Sequence, residues 1–148
     1  MKKLILIVVI SLFCGNAFSQ VNPQKEIERF FEIYKGGDTS TALDTLFSTS
    51  IWFQERAKDN IEQIKIQLDG YSKQMGEVYG YEQLIARPIG DHLLHFTYFV
   101  FFDRQPLRFN FIFYKAKDEW AIFHFKYDDR ISDDVYENSW YYFLDQNR

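Results

Sequence analysis

The chain has 148 residues, a formal net charge of −4 at pH 7 and an aromatic fraction of 20%. It contains no run of basic residues, which argues against nucleic acid and against anionic membrane surfaces as partners. No internal repeat or low-complexity linker divides it, and its length suits one domain with a core of its own.

The N-terminus, MKKLILIVVISLFCGNAFSQ, has the three parts of a secretory signal peptide. Two lysines precede an apolar run over residues 4–13, and the small residues Ala17 and Ser19 follow it. The run is well short of the roughly 20 residues that span a bilayer. We therefore predict cleavage after Ser19 and export to the periplasm or the medium. Residues 1–19 are then the signal peptide, and residues 20–148 form the mature domain, which no membrane anchor holds.

Cys14 leaves one alternative open, because exported lipoproteins are lipidated on a cysteine. A small residue normally precedes such a cysteine, whereas Phe13 stands here, so lipidation is the minor alternative. With cleavage after Ser19, Cys14 leaves with the signal peptide and the mature domain must fold without disulfides. The loss of Lys2 and Lys3 then removes two positive charges from the net charge of −4 and leaves −6.

Helical spacing characterises the first half of the mature chain. Asn22 is placed to cap a first helix that has Pro23 at its first position, and Gly36 ends it. A short second helix is predicted from residue 38, and a third over residues 59–75. The apolar stripes of the three helices are Ile27, Phe30, Phe31 and Tyr34, then Ala42, Leu43, Leu46 and Phe47, then Ile61, Ile64, Leu68, Tyr71 and Met75.

After Gly76 the apolar residues alternate, which is the pattern of strands. Strands are predicted over residues 77–89, 93–102, 107–115 and 119–128, joined as an antiparallel meander. The aromatic residues 140–144 are compatible with a last strand or a short helix.

The loops between strands decide which side chains share a face, because a one-residue slip turns every side chain over. A three-residue loop at 116–118 pairs Phe111 with Phe123. A four-residue loop at 103–106 separates polar from apolar residues best, and leaves His95 facing away. The predicted inner face consists of Leu94, Phe96, Tyr98, Val100, Phe102, Leu107, Phe109, Phe111, Phe113, Phe123, Phe125 and Tyr127.

The opposite face of the sheet is predicted to carry an apolar patch. It consists of Ile112, Tyr114, Trp120 and Ile122. Such a patch is uncommon on a soluble monomer and usually marks an interface, so we predict a homodimer through it. The alternative is that residues 140–144 cover the patch.

Helices that precede strands with one strongly apolar face have one economical packing, in which the helices lie across that face. The fold class is therefore α+β, with the N-terminal helices packed on the concave face of a curved, mainly antiparallel sheet. The third and the first predicted helices are expected to provide most of the cover.

The stretches GEVYGYE (76–82), IGDHLLHFTYFVFFDRQPLRFNFIFYK (89–115) and EWAIFHFKYDD (119–129), with this helix order, resemble the nuclear transport factor 2-like superfamily. The resemblance covers about residues 22–135 and is greatest to small exported bacterial members. It implies a cone-shaped, cystatin-like fold, a pocket inside the cone and frequent homodimers. The superfamily includes enzymes and non-enzymes, so the fold does not give the function.

An enzyme similar to ketosteroid isomerase would need a carboxylate and an acidic hydroxyl facing each other in an apolar pocket. Tyr98 and Tyr127 fall on the inner face, near the wide end of the cone, and are candidate ligand-binding residues. Glu82 is the best placed carboxylate, although no catalytic residue is assigned. A buried carboxylate within hydrogen-bond reach of Tyr98 would favour an enzyme. A cone filled by side chains would favour an interaction module.

The three histidines do not predict a metal site. His92 and His95 are three residues apart and face opposite sides of a strand, while His95 and His124 lie roughly 16 Å apart at ordinary strand spacing. A first-row metal needs ligands about 2 Å from one centre. No cofactor-binding motif is present either, so neither a metal nor a cofactor is expected.

The sequence thus predicts an exported, non-enzymatic domain that binds a small apolar molecule or a protein partner. The alternative is a cofactor-free isomerase or lyase that acts on a small apolar substrate in the cone pocket.

Overall fold

The structure, a computed structural model, describes residues 21–133 and 135–137. The predicted signal peptide, its cleavage position, Cys14 and the aromatic residues 140–144 lie outside this part of the chain. Within it, four helices precede four strands, and residues 131–133 and 135–137 are helical as well. The elements are α1 (Pro23–Lys35), α2 (Thr39–Phe47), α3 (Ile51–Arg56), α4 (Lys58–Met75), β1 (Val78–Ile89), β2 (Leu93–Phe102), β3 (Leu107–Ala116) and β4 (Glu119–Asp128).

Side-chain caps begin the first two helices, the first at the predicted cap Asn22 and the second at Asp38, where a helix start was predicted. The Asn22 side chain accepts a hydrogen bond from the backbone N–H of Lys25 at 3.2 Å. Asp38 accepts one in the same way from Thr41 at 2.9 Å. Each cap satisfies a backbone donor that the first helical turn leaves free. The third predicted helix is α4, which begins one residue earlier than expected, at Lys58.

The strands form one antiparallel sheet in the order β1-β2-β3-β4. The bounds of β2 and β4 are those predicted, and β1 and β3 differ from prediction by one residue each. The prediction of an α+β fold, in which helices precede a mainly antiparallel sheet, is confirmed. None of the described helices combines the length and the hydropathy needed to cross a bilayer.

The register between β2 and β3 differs from the predicted one by two residues. Val100 pairs with Leu107, so residues 101–106, rather than 103–106, lie between paired positions. A shift of two residues leaves every side chain on the same face. The prediction that Phe96 and Tyr98 point to the core is therefore confirmed, and both are buried.

The turn between β3 and β4 is one residue shorter than predicted. Ala116 pairs with Glu119, so Lys117 and Asp118 form a two-residue turn. Lys117 has φ of 58°, as such turns require. The shorter turn reverses the predicted faces at this end of β4. Ile122, predicted on the outer face, is therefore in the core and only 1% exposed.

A β-bulge restores the predicted faces further along β4. The register shifts between Ile112 and Phe113, and beyond the shift Phe111 pairs with Phe125. Phe123 has no partner in this register and is 60% exposed. The predicted pairing of Phe111 with Phe123 is therefore wrong, because a bulge inserts one extra residue into a single strand.

Helix α1 covers the inner face of the sheet. The ring centroid of Phe30 lies 5.6 Å from that of Phe111 and 5.8 Å from that of Phe125. One residue further along the helix, Phe31 stacks on Tyr81 with ring centroids 4.1 Å apart. Offset and edge-to-face contacts at these distances are favourable for aromatic rings. They hold α1 across β1, β3 and β4.

Helix α4 packs mainly against α2 and α3 rather than against the strands. Its Leu68 is fully buried and Ile64 is partly buried against the core. Its Tyr71 ring lies 5.6 Å from the Tyr127 ring. The expectation that the third and the first predicted helices would provide most of the cover is confirmed for α1 and wrong for α4, because the aromatic side chains of α1 occupy that position.

We predict that Phe111→Ala lowers the free energy of unfolding by about 3–5 kcal/mol, because it empties a fully buried site. Phe123→Ala removes the same ring from an exposed position and should change this free energy by only about 0.5 kcal/mol. Urea unfolding followed by circular dichroism measures both values. Equal losses would contradict a register that buries Phe111 and exposes Phe123.

Candidate functional site

Aromatic side chains fill the space between α1 and the sheet, where the resemblance implied a pocket. Five of them are fully buried: Phe30, Phe31, Phe109, Phe111 and Phe113. The rings of Phe30 and Phe31 lie 5.2 Å apart, and those of Phe111 and Phe125 also lie 5.2 Å apart. Rings at such distances are in contact, so no further ring fits between them.

The hydroxyl of Tyr98 is fully used inside the protein. It donates to Gln83 Oε1 at 2.7 Å and accepts from Gln24 Nε2 at 3.1 Å. Burial raises the pKa of this hydroxyl, and the negative charge of Glu28 adds to the effect. Both hydrogen-bond partners are amides, so no carboxylate is bonded to Tyr98, and the tyrosine stays neutral.

The three predicted ligand-binding residues do not meet in one site. Tyr127 lies on the inner face, but the strand register places Phe109 between it and Tyr98. Glu82 is exposed and pairs with Phe99. Because side chains alternate along a strand, Phe99 and Glu82 lie on the face opposite to Tyr98. The structure therefore separates the carboxylate from both hydroxyls.

The predicted outer patch does not form a single surface. Ile122 is buried, and Trp120 is partly buried and packs against the core. This follows from the shorter β3–β4 turn. Tyr114 remains exposed, and its ring lies 6.3 Å from that of the exposed Phe123. The prediction that Ile112 and Tyr114 share a patch with the other two residues is wrong.

Polar side chains at the centre of the outer face bond to one another. The Thr97 hydroxyl donates to Asn110 Oδ1 at 2.8 Å, and His95 Nε2 lies 3.2 Å from the same hydroxyl oxygen. His95 thus faces outward as predicted, with its ring nitrogen bonded. In the part of the chain that the structure describes, no group of three or more His, Cys, Asp or Glu residues could hold a metal ion.

A groove of about 620 Å³ lies among α2, α3 and α4. Its floor is apolar and consists of Phe47, Phe53 and Ile61, with the first two rings 4.6 Å apart. Its rim is polar and carries Asp44, Ser48, Gln54, Glu55, Lys58 and Glu62. On the same helix as Phe53, Ile51 is 72% exposed and Trp52 is 64% exposed. We call this the helical groove.

Ion pairs of one lysine lie at one wall of the helical groove. Lys65 Nζ of α4 lies 2.7 Å from Asp44 Oδ1 of α2 and 2.7 Å from Glu62 Oε1. Burial of Lys65 disfavours its charged form, but the hydrogen bonds that it donates to the two carboxylates outweigh this effect and raise its pKa. The pair of Lys65 with Asp44 joins α4 to α2 beside the groove, while Glu62 lies in the same helix as Lys65.

Sequence reasoning missed α3, and with it Trp52. None of the six residues of α3 is buried, and the Ser50 side chain makes no capping hydrogen bond. Without a stripe or a cap, the segment has neither signal from which helices are predicted. The sequence signal for this helix is the apolar triplet from Ile51 to Phe53, which directly follows Ser50. Three residues are too few to show a helical period.

Comparison with known proteins adds a likeness of fold. No protein-family model matches the sequence, and no curated protein matches it. Among solved structures, the chain is similar to one from Campylobacter jejuni that is assigned as an NTF2-like (nuclear transport factor 2-like) transpeptidase. The identity is 20%, the match covers 69% of this chain and 97% of that one, and the TM-score is 0.49. A likeness of this degree carries no argument about activity.

We predict that Tyr98→Phe costs about 1 kcal/mol of unfolding free energy, because it removes a buried hydroxyl with two hydrogen bonds. Tyr127→Phe is the matched control. The Tyr127 hydroxyl has no hydrogen-bond partner among the described residues, so a change of only about 0.5 kcal/mol is expected. Chemical unfolding of both variants is the measurement. If Tyr98→Phe unfolds like the wild type, the hydroxyl is not the structural group that its bonds to Gln83 and Gln24 indicate.

Proposed function

We propose that the protein is an exported, non-catalytic domain that binds a protein partner through the helical groove. Export is inferred from the signal-peptide pattern of residues 1–19. One observation supports the rest of the proposal most: side chains fill the space between α1 and the sheet, while the groove has an open apolar floor and the helix that contributes Phe53 to it also exposes Trp52.

The composition of the groove supports a role in recognition. Protein interfaces commonly combine an apolar centre with a polar rim, as Phe47, Phe53 and Ile61 do with the charged residues around them. Tryptophan is enriched among the residues that contribute most to binding free energy. Trp52 and Ile51 would lose their exposed apolar area to a partner, which favours association.

The positions of the predicted ligand residues support binding over the isomerase or lyase alternative. The hydroxyl of Tyr98 is bonded to two amides, and Glu82 lies on the opposite face of the sheet. A proton transfer between a carboxylate and a pocket hydroxyl would need these groups on the same side. The filled interior likewise supports a partner on the surface over a small apolar molecule inside the cone.

The test is site-specific photocrosslinking in cells that export the protein. Glu55, which is exposed and lines the groove, is replaced by p-benzoylphenylalanine. We expect one discrete adduct with another protein after irradiation. Ile66 of α4 is the control position, since it is 72% exposed and does not line the groove. It should give no such adduct. Trp52→Ala should also weaken binding to the captured protein by about tenfold or more, as hot-spot residues do.

The absence of any adduct at position 55 would contradict the proposal. The same adduct with equal yield at positions 55 and 66 would contradict it as well, because the groove would then have no special role.

A further inference from the structure

Strand β1 presents an open edge of the sheet. It is the first strand in the order β1-β2-β3-β4, so one of its sides has no neighbouring strand in the described residues. It has 12 residues, and every residue from Glu82 to Ile89 is exposed. The unpaired backbone groups of an edge strand readily accept another strand. Leu84, Ile85 and Ile89 add exposed apolar side chains here.

Two opposite charges stand on one face of this edge. Glu82 pairs with Phe99 and Arg87 pairs with His95, which places both charged residues on the outer face. In a regular strand, residues five apart point to opposite faces. The register shift between Gln83 and Ile85 brings Glu82 and Arg87 to the same one. Neither side chain has an ion-pair or hydrogen-bond partner within the described residues.

We propose that two copies of the chain associate through their β1 edges. The two β1 strands run antiparallel and are related by a two-fold axis that passes between Leu84 and Ile85. In this register Glu82 lies opposite Arg87 of the second copy, and Arg87 opposite Glu82 of the second copy. Leu84 lies opposite Ile85 of the second copy. Every contact occurs twice, as it must in a symmetric dimer.

The faces of the remaining residues agree with this register. Gln83 lies opposite Ala86 of the second copy, and both residues pair with inner-face positions of β2. Tyr81 lies opposite Pro88, and these too pair with inner-face positions. Side chains opposite each other on antiparallel strands must share a face. Pro88 has no backbone N–H to donate to the second copy. The pairing between the two β1 strands therefore ends at this residue.

The association is independent of the proposed function. It joins the two sheets into one of eight strands and uses no residue of the helical groove. It also differs from an interface through the outer face, because Tyr114 and Phe123 lie on β3 and β4, away from the edge.

Sedimentation velocity of the mature protein tests the proposal with charge reversals. The wild type should sediment as a dimer. Glu82→Arg and Arg87→Glu should each weaken dimerisation by about tenfold or more, because each puts like charges opposite one another at two symmetric places. The double variant Glu82→Arg/Arg87→Glu restores opposite charges in reversed order and should dimerise like the wild type.

Recovery in the double variant also shows that the single substitutions do not act by unfolding the chain. Tyr114→Lys is the control on the outer face and should leave the dimer unchanged. A wild type that sediments as a monomer would overturn the proposal. So would single variants that dimerise normally, a double variant that stays monomeric, or a dimer lost in Tyr114→Lys, which would place the interface on the outer face.

Discussion

Phe30 of α1 packs against the rings of Phe109, Phe111 and Phe125, and this contact joins the helices to the sheet. Full burial of one phenylalanine is worth roughly 1.5–3 kcal/mol. A few such rings therefore contribute as much as the net stability of a typical domain, about 5–15 kcal/mol. In a domain that must fold without disulfides, the interior cannot be opened for a ligand without losing much of the fold.

Because the core takes up the space between α1 and the sheet, the proposed binding would use the surface. Two surfaces in the described part of the chain carry the proposals, and they are of different kinds. The helical groove has an apolar floor that includes Phe53, and the same short helix, which has no fully buried residue, exposes Trp52. The edge of β1 offers backbone hydrogen bonds together with the complementary charges of Glu82 and Arg87. The first suits a partner's side chains, and the second suits a strand of the same sequence.

Local sequence signals predicted most of the fold. Asn22 and Asp38 marked helix starts, and alternation marked strands whose bounds are correct to within one residue. The prediction of the face on which Ile122 lies was wrong, because this face depends on whether the turn after Ala116 has two or three residues. The prediction that Phe123 lies on the inner face was wrong for a related reason, since an alternating sequence pattern continues unchanged across a bulge. The helical groove could not be predicted, because it depends on how α3 lies between α2 and α4.

Aromatic side chains fill the space between α1 and the sheet, and both surface proposals follow from this. Xenon binding to crystals of the wild type and of Phe30→Leu tests this claim most directly, because xenon enters apolar cavities that are empty. We predict no xenon between α1 and the sheet in the wild type, and a xenon atom beside position 30 in the variant. Xenon bound between α1 and the sheet of the wild type would contradict the claim and would restore the interior as a binding site.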